Sequence, residues 1–287
     1  MGGTVKTLRI VHLREGIPPP IWEQLRRGFV FAHEVSDTIS GRRDQLLPPA
    51  RLRVRIGHVG AEDFVALGAT HLRMFYELGG LRPENHVLEV GCGCGRLARA
   101  FTTYLNASGS YDGVDIDREA IGWCQQAFRS FPRFHFQELD VFNAFYNPKG
   151  PSKASEVSLP FENETFDFAI MTSVLTHLLP EDVPNYLREV SRVLNHGGKA
   201  WITYFLWNEK AAEAERLDPK GFLFPDQLGP HRVMHIGQPE LGLCLEQRWL
   251  LAEYARAQLT IGEVRPGSWR GLKGATDFQD TIIATKP

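Results

Sequence analysis

The chain has 287 residues, 43% of them hydrophobic, enough for a full core without a disulfide or metal staple. Its net charge of −2 offers no global attraction to a polyanion, and the local excess of ten Lys/Arg over five Asp/Glu in the first sixty residues lacks the interleaved aromatics that stack bases. Four cysteines do not make a disulfide framework in a chain of this length, which leads to the expectation of a reducing, cytoplasmic setting.

Residues 1–60 read as an N-terminal extension suited to a lid. Met1-Gly2-Gly3 is followed by Lys6 where a myristoylation signal needs Ser or Thr, and no run approaches the ~18 apolar residues that cross a bilayer. Pro18-Pro19-Pro20 and Pro48-Pro49 bracket one predicted helix, from Ile21 to near Ser36. The remainder, 61–287, reads as one domain. Ala61 to Leu78 has helical spacing of Phe64, Leu67, Leu72, Phe75 and Leu78. Short apolar runs then alternate with helical stretches, the pattern of βαβ units on a parallel sheet. Strands are expected at Val87–Val90, Tyr111–Ile116, Phe134–Glu138, Phe166–Met171 and Ala200–Phe205. Helices are expected from Arg96 to about Leu105, from an Asp117 N-cap onward, and from Glu181 to Leu194 with Gly197-Gly198 as its stop. An insertion follows from Leu206 to about Leu259, with a helix from near Pro239 carrying Leu241, Leu245 and Trp249. Two β-like runs, Thr260–Val264 and Phe278–Ala284, close the chain.

The first strand runs into Glu89-Val90-Gly91-Cys92-Gly93-Cys94-Gly95-Arg96. Glycines accept backbone angles that other residues refuse and let a ligand approach closely. The spacing is G-x-G-x-G, with Arg96 in the place of the third glycine of a dinucleotide fingerprint. Asp115 ends the second strand, where a carboxylate can take ribose hydroxyls, and Asp117 beside it reads as the helix cap. Cys92 and Cys94 have no second ligand pair at zinc spacing, so no metal site is expected.

These motifs resemble the class I S-adenosylmethionine (SAM) methyltransferases of the bacterial small-molecule type, and so do Leu139-Asp140-Val141, Leu159 to Asp167, Met171 to Leu178 and Arg192 to Gly198. The likeness covers about residues 84–206 well and the last twenty-five loosely. It implies a Rossmann-like, doubly wound, mostly parallel seven-stranded sheet with an antiparallel last strand, a helical N-terminal extension and an insertion between strands 5 and 6. It also implies SAM as cofactor and S-adenosylhomocysteine (SAH) as product. By the same resemblance Glu89 meets the amino-acid end of the cofactor and Gly91, Cys92, Gly93 and Gly95 form the turn. Asp115 binds the ribose, Ile116 packs on adenine, and Asp140 with the Val141 N–H reads the adenine edge. Ser173 belongs to the cofactor shell after strand 4.

For the chemistry, His177 at the rim after strand 4 is the leading base or acceptor-orienting group, although a histidine bonding a loop carbonyl is the plainer reading. His231 and His235 in the insertion are further candidates, and Tyr204, Trp207 and Phe222 are candidate pocket walls. The expected partner is a small-molecule acceptor methylated on O or N, with no nucleic acid and no membrane, and with the oligomeric state open. Two other functions compete. A nicotinamide-dependent oxidoreductase shares the sheet but not the glycine spacing, and a non-catalytic relative would keep the fold as a SAM-binding partner.

Overall fold

The computed structural model describes residues 19–57, 59–144, 146–218, 221 and 224–287; the predicted features of residues 1–18, and Phe222, lie outside them. Helix α1 (Pro19–Ile39) and the single turn α2 (Ala50–Arg53) precede α3 (Ala61–Glu77). The turn is fixed by Arg53, which is 1% exposed, pairs with Asp37, and donates to Pro48 O at 2.9 Å and Val59 O at 2.8 Å. All three contacts are needed, because a buried guanidinium is costly unless its donors are filled.

Seven strands build the main sheet: β1 (His86–Val90), β2 (Ser110–Asp115), β3 (Phe134–Glu138), β4 (Phe166–Met171), β5 (Leu194–Tyr204), and, after the insertion, β10 (Thr260–Arg265) and β11 (Asp280–Thr285). Their order is β10-β11-β5-β4-β1-β2-β3. The strands from β3 through β5 run parallel, and β11 lies antiparallel between β5 and β10. This is the expected fold class. Successive residues of β1 are buried on opposite faces: Leu88 joins the core under Leu187 and Tyr254, while Val87 joins Phe75, Phe101, Phe168 and Trp201. A sheet covered on both faces explains why its strands read as unbroken apolar runs. Helix α3 lies against α4 (Arg96–Phe101), and Asp117 caps α5 (Arg118–Ala127) by accepting from the N–H groups of Glu119 and Ala120, worth about 1 kcal/mol.

Several boundaries differ from expectation. Helix α4 spans six residues rather than ten, continuing as turns to Leu105. Helix α6 runs Val183–Val193, and the chain enters β5 at Leu194, six residues before its predicted start at Ala200. Gly197 and Gly198 therefore do not stop the helix; they lie in the strand, bonded to Lys286 of the C-terminal run.

The insertion holds a second sheet that the sequence pattern did not announce, ordered β6-β9-β8-β7. Its elements are β6 (Leu206–Trp207), α7 (Glu209–Leu217), β7 (Asp226–Leu228), β8 (His231–Val233), β9 (Leu243–Glu246) and α8 (Gln247–Arg256). The helix expected from Pro239 is a correction: Pro239–Leu241 is one 3-10 turn, and the helix begins at Gln247. Leu243 and Leu245 face the main core while Cys244 faces Phe205, Phe224 and Trp269. A short apolar run buried on both faces cannot be told from a helix by periodicity.

Candidate active site

The carboxyl ends of β1 to β4 converge on one edge of the sheet, where an open α/β sheet takes its ligands. Gly91, Gly93 and Gly95 have φ values of 80°, 51° and 82°, which side chains adopt only with strain. The Gly91 and Cys92 N–H groups both donate to Val114 O, at 2.8 and 3.1 Å, binding the turn to β2. Two side chains roof it. A Cβ on Gly91 would stand 2.3 Å from Val174 Cγ2, and one on Gly93 would stand 2.8 Å from Ile56 Cγ2. The extension thus reaches the turn. It is held beside it by Arg55, which donates to Asp117 Oδ2 at 2.9 Å and to Glu119 Oε2 at 2.5 Å.

Asp115 stands at the end of β2, half-buried, accepting from Gly93 N at 2.6 Å and Asp117 N at 2.8 Å. A carboxylate has about four acceptor positions, so two remain for hydroxyl groups. Burial raises its pKa, and backbone donors, Asp117 and Gly93 foremost, work against that rise. Ile116 and Asp140 line a cleft of about 360 Å³ together with Asp117, Glu138, Tyr146 and Asn147. Asp140 is exposed there and accepts from Asn147 Nδ2 at 3.0 Å. The Val141 N–H turns back to Leu139 O at 2.8 Å.

Glu89 is 3% exposed and accepts from the Tyr111 hydroxyl. Burial lifts its carboxyl to about 8 against the pull of Tyr111 and Arg96, so it is protonated at neutral pH. Cys92 and Cys94 are buried free thiols pushed up by burial, and Cys92 contributes to the turn through its backbone.

After β4, Ser173 takes φ 60°, a left-handed conformation for a residue with a side chain. Its N–H donates to Thr203 Oγ1 at 2.8 Å and its hydroxyl accepts from Gln279 Nε2 at 3.0 Å. Those bonds over-determine a strained position, as is common beside functional sites. His177 lies four residues further on, its Nδ1 2.8 Å from Glu240 O. A carbonyl only accepts, so Nδ1 carries the proton and the neutral ring leaves Nε2 with its lone pair. Burial lowers the pKa of His177, with the Glu240 carbonyl opposing, which favours this neutral form. Tyr146, on the cleft wall, stands edge-to-face with it at 5.3 Å.

The other candidates stand apart. His231 is buried, with Nδ1 accepting from Glu246 N, and His235 closes a local turn with Gly237 N. Tyr204 is core, bonded to the Tyr254 hydroxyl at 2.8 Å, and Trp207 lies under Arg232. The motifs did not reveal Tyr146, Asn147 or the Arg55 clasp, because each depends on segments brought together by the fold; a charge alternation at Arg51, Arg53 and Arg55 was the only local signal.

The glycine turn, the carboxylate ending β2 and the cleft lined by Ile116 and Asp140 lie together at the carboxyl edge of a Rossmann-like sheet. Residues 88–202 match the family profile described as a methyltransferase domain. A 2-phytyl-1,4-naphtoquinone methyltransferase of Trichormus variabilis is 28% identical over 146 residues, 50% of this chain and 57% of that protein. A demethylmenaquinone methyltransferase of Symbiobacterium thermophilum is 28% identical over 118 residues, 41% of each. The chain thus spans about half the length of these relatives. The PH0226 protein of Pyrococcus horikoshii, at 16% identity, shares the fold with a TM-score of 0.53 over 79% of this chain and 92% of its own. Over residues 88–202 the chain is thus similar to methyltransferase domains.

Proposed function

We propose that this protein transfers the methyl group of SAM to an oxygen or nitrogen atom of a small-molecule acceptor, releasing SAH. The observation that carries this reading is that Ile116 and Asp140 line one cleft while Asp115, the residue before Ile116, accepts from the Gly93 N–H of the three-glycine turn. The fit is chemical: Asp115 keeps acceptor positions for a ribose diol, Ile116 offers an apolar face, and Asp140 is an exposed acceptor for an exocyclic amine. The names of the quinone methyltransferase relatives support a small-molecule acceptor.

The bound cofactor supplies a methyl group activated by its sulfonium. The protein's part is to align the acceptor lone pair behind that carbon and to exclude water. Ile56 and Val174 close the turn against solvent, and the Ser173 loop, fixed by Thr203 and Gln279, sets the rim. His177 Nε2 accepts the proton that a hydroxyl or amine acceptor loses, and the Glu240 carbonyl keeps the ring in the required tautomer.

Calorimetry with SAH tests the cofactor half directly. Asp115→Ala is expected to lose most of the affinity, while a variant binding SAH as the unaltered chain does would overturn the assignment. Incubation with SAM and a panel of hydroxylated and amino aromatics tests the transfer half by SAH release.

A further inference from the structure

Arg96 follows the glycine turn directly, yet no nitrogen of its guanidinium has a protein partner among the described residues. Its Nε is inaccessible to solvent and unbonded. Arg265 and Arg270 also leave Nε unbonded, but their outer nitrogens are engaged by Glu263 and by Asn208 and Asp280. Arg96 is half-buried, and a shielded Nε left without a hydrogen bond calls for an explanation.

A second unfilled group comes from α3. His71 is 5% exposed and its Nδ1 has no partner, while Nε2 lies 3.3 Å from Asp277 Oδ2. Since the carboxylate accepts, Nε2 carries the proton, and a neutral His71 presents Nδ1 as an acceptor. Helix α3 lies close to Arg96 because Gly68, one turn before His71, has no side chain: a Cβ there would stand 2.7 Å from Arg96 O and 3.5 Å from Arg96 Cγ. Asp277 belongs to the loop before β11, whose Gln279 binds Ser173 and Thr203 at the carboxyl ends of β4 and β5. Burial opposes charge on Asp277, but the hydrogen bond from His71, the Phe278 N–H and Arg96 together hold its carboxyl below the usual range. The same edge of the sheet therefore offers an unfilled cation, an unfilled acceptor and an ionised carboxylate. One ligand chemistry answers all three: an α-amino acid, with a carboxylate for the first and an ammonium for the others.

We propose that Arg96, His71 and Asp277 form the subsite for the zwitterionic amino-acid end of the cofactor, Arg96 taking the carboxylate and His71 Nδ1 with Asp277 the ammonium. This rests on the SAM-binding reading above. It assigns the end of the ligand farthest from Asp115 and Asp140, and it gives α3 and the C-terminal loop a shared ligand.

The test compares SAH with 5′-methylthioadenosine, which keeps the adenosyl part and lacks the amino acid, by calorimetry on the full chain. Arg96→Met is expected to weaken SAH by about tenfold to a hundredfold, the range of a charge-assisted hydrogen bond, and to leave methylthioadenosine affinity within twofold. Arg96→Lys is expected to recover part of the loss. Unchanged SAH affinity in Arg96→Met overturns the subsite, as does an equal loss for both ligands in Arg96→Met and Arg96→Lys alike. Decarboxylated SAH separates the alternatives further: its affinity is expected to be the same with or without the Arg96 side chain, and a loss there would assign Arg96 elsewhere. If the unaltered chain binds neither SAH nor methylthioadenosine, the cofactor reading itself falls, a result distinct from all of these.

Discussion

The Nδ1–H of His177 is donated to the carbonyl of Glu240 at 2.8 Å, joining the loop after β4 to the insertion. Glu240 also accepts from the Ala144 N–H at 3.1 Å, so one insertion residue orients the histidine and holds the loop beside the cleft. This bond fixes Nε2 as the basic atom, and burial makes the ring a base available below its ordinary pKa of 6.5. The expected methyl-transfer profile has an acidic limb below pH 6.5 and a plateau above it. His177→Gln should lower kcat by roughly a hundredfold, within the range of general-base removal, and flatten that limb while leaving SAH affinity unchanged. A variant with the unaltered pH profile would remove His177 from the chemistry.

His177 also links pH to folding. Its folded pKa is lowered, so the unfolded chain binds more protons as pH falls below 6.5, and the stability contributed by burying the neutral ring is lost in that direction. Glu89 works in the opposite direction. Its carboxyl is raised to about 8 in the fold, so between its ordinary value of 4.5 and 8 the folded chain holds a proton that the unfolded chain releases. Stability falls as pH rises through that window and levels off beyond it. Glu89→Gln removes this titration while keeping an acceptor for the Tyr111 hydroxyl. Urea unfolding midpoints at pH 5.5 and 8.5 should therefore differ less in the variant than in the unaltered chain; an equal difference would show that Glu89 is ionised in the fold.

The parts of this site legible in the sequence are those built from one strand and the turn after it. Gly91 to Gly95, Asp115 and Asp140 each mark the end of a strand, and their order along the chain is their order across the edge. The tautomer of His177 depends on Glu240, 63 residues away, and the Arg96 environment depends on a histidine and an aspartate 206 residues apart. No local period encodes such pairs. The insertion was misread for a different reason: Leu243, Cys244 and Leu245 are all buried, so the alternation that marks a half-exposed strand is missing.

Asp280 opens β11 beside the end of β5 and is wholly buried. One oxygen accepts from Leu206 N at 2.9 Å, Trp269 Nε1 at 2.8 Å and Arg270 Nη2 at 2.7 Å, and the other accepts from Gly267 N at 2.8 Å. Those donors come from the start of the insertion and from the β10–β11 loop, so a single carboxylate ties both to the main sheet. Arg270 is 3% exposed at its side chain, and removing Asp280 leaves that cation buried beside orphaned N–H groups. Asp280→Ala is expected to cost about 3–5 kcal/mol, the range for breaking a buried ion pair from one side. Asp280→Asn keeps an acceptor but loses the charge and should cost less. The order of the two urea midpoints checks this: if Asp280→Ala were no less stable than Asp280→Asn, the hydrogen bonds would not be what holds the insertion in place.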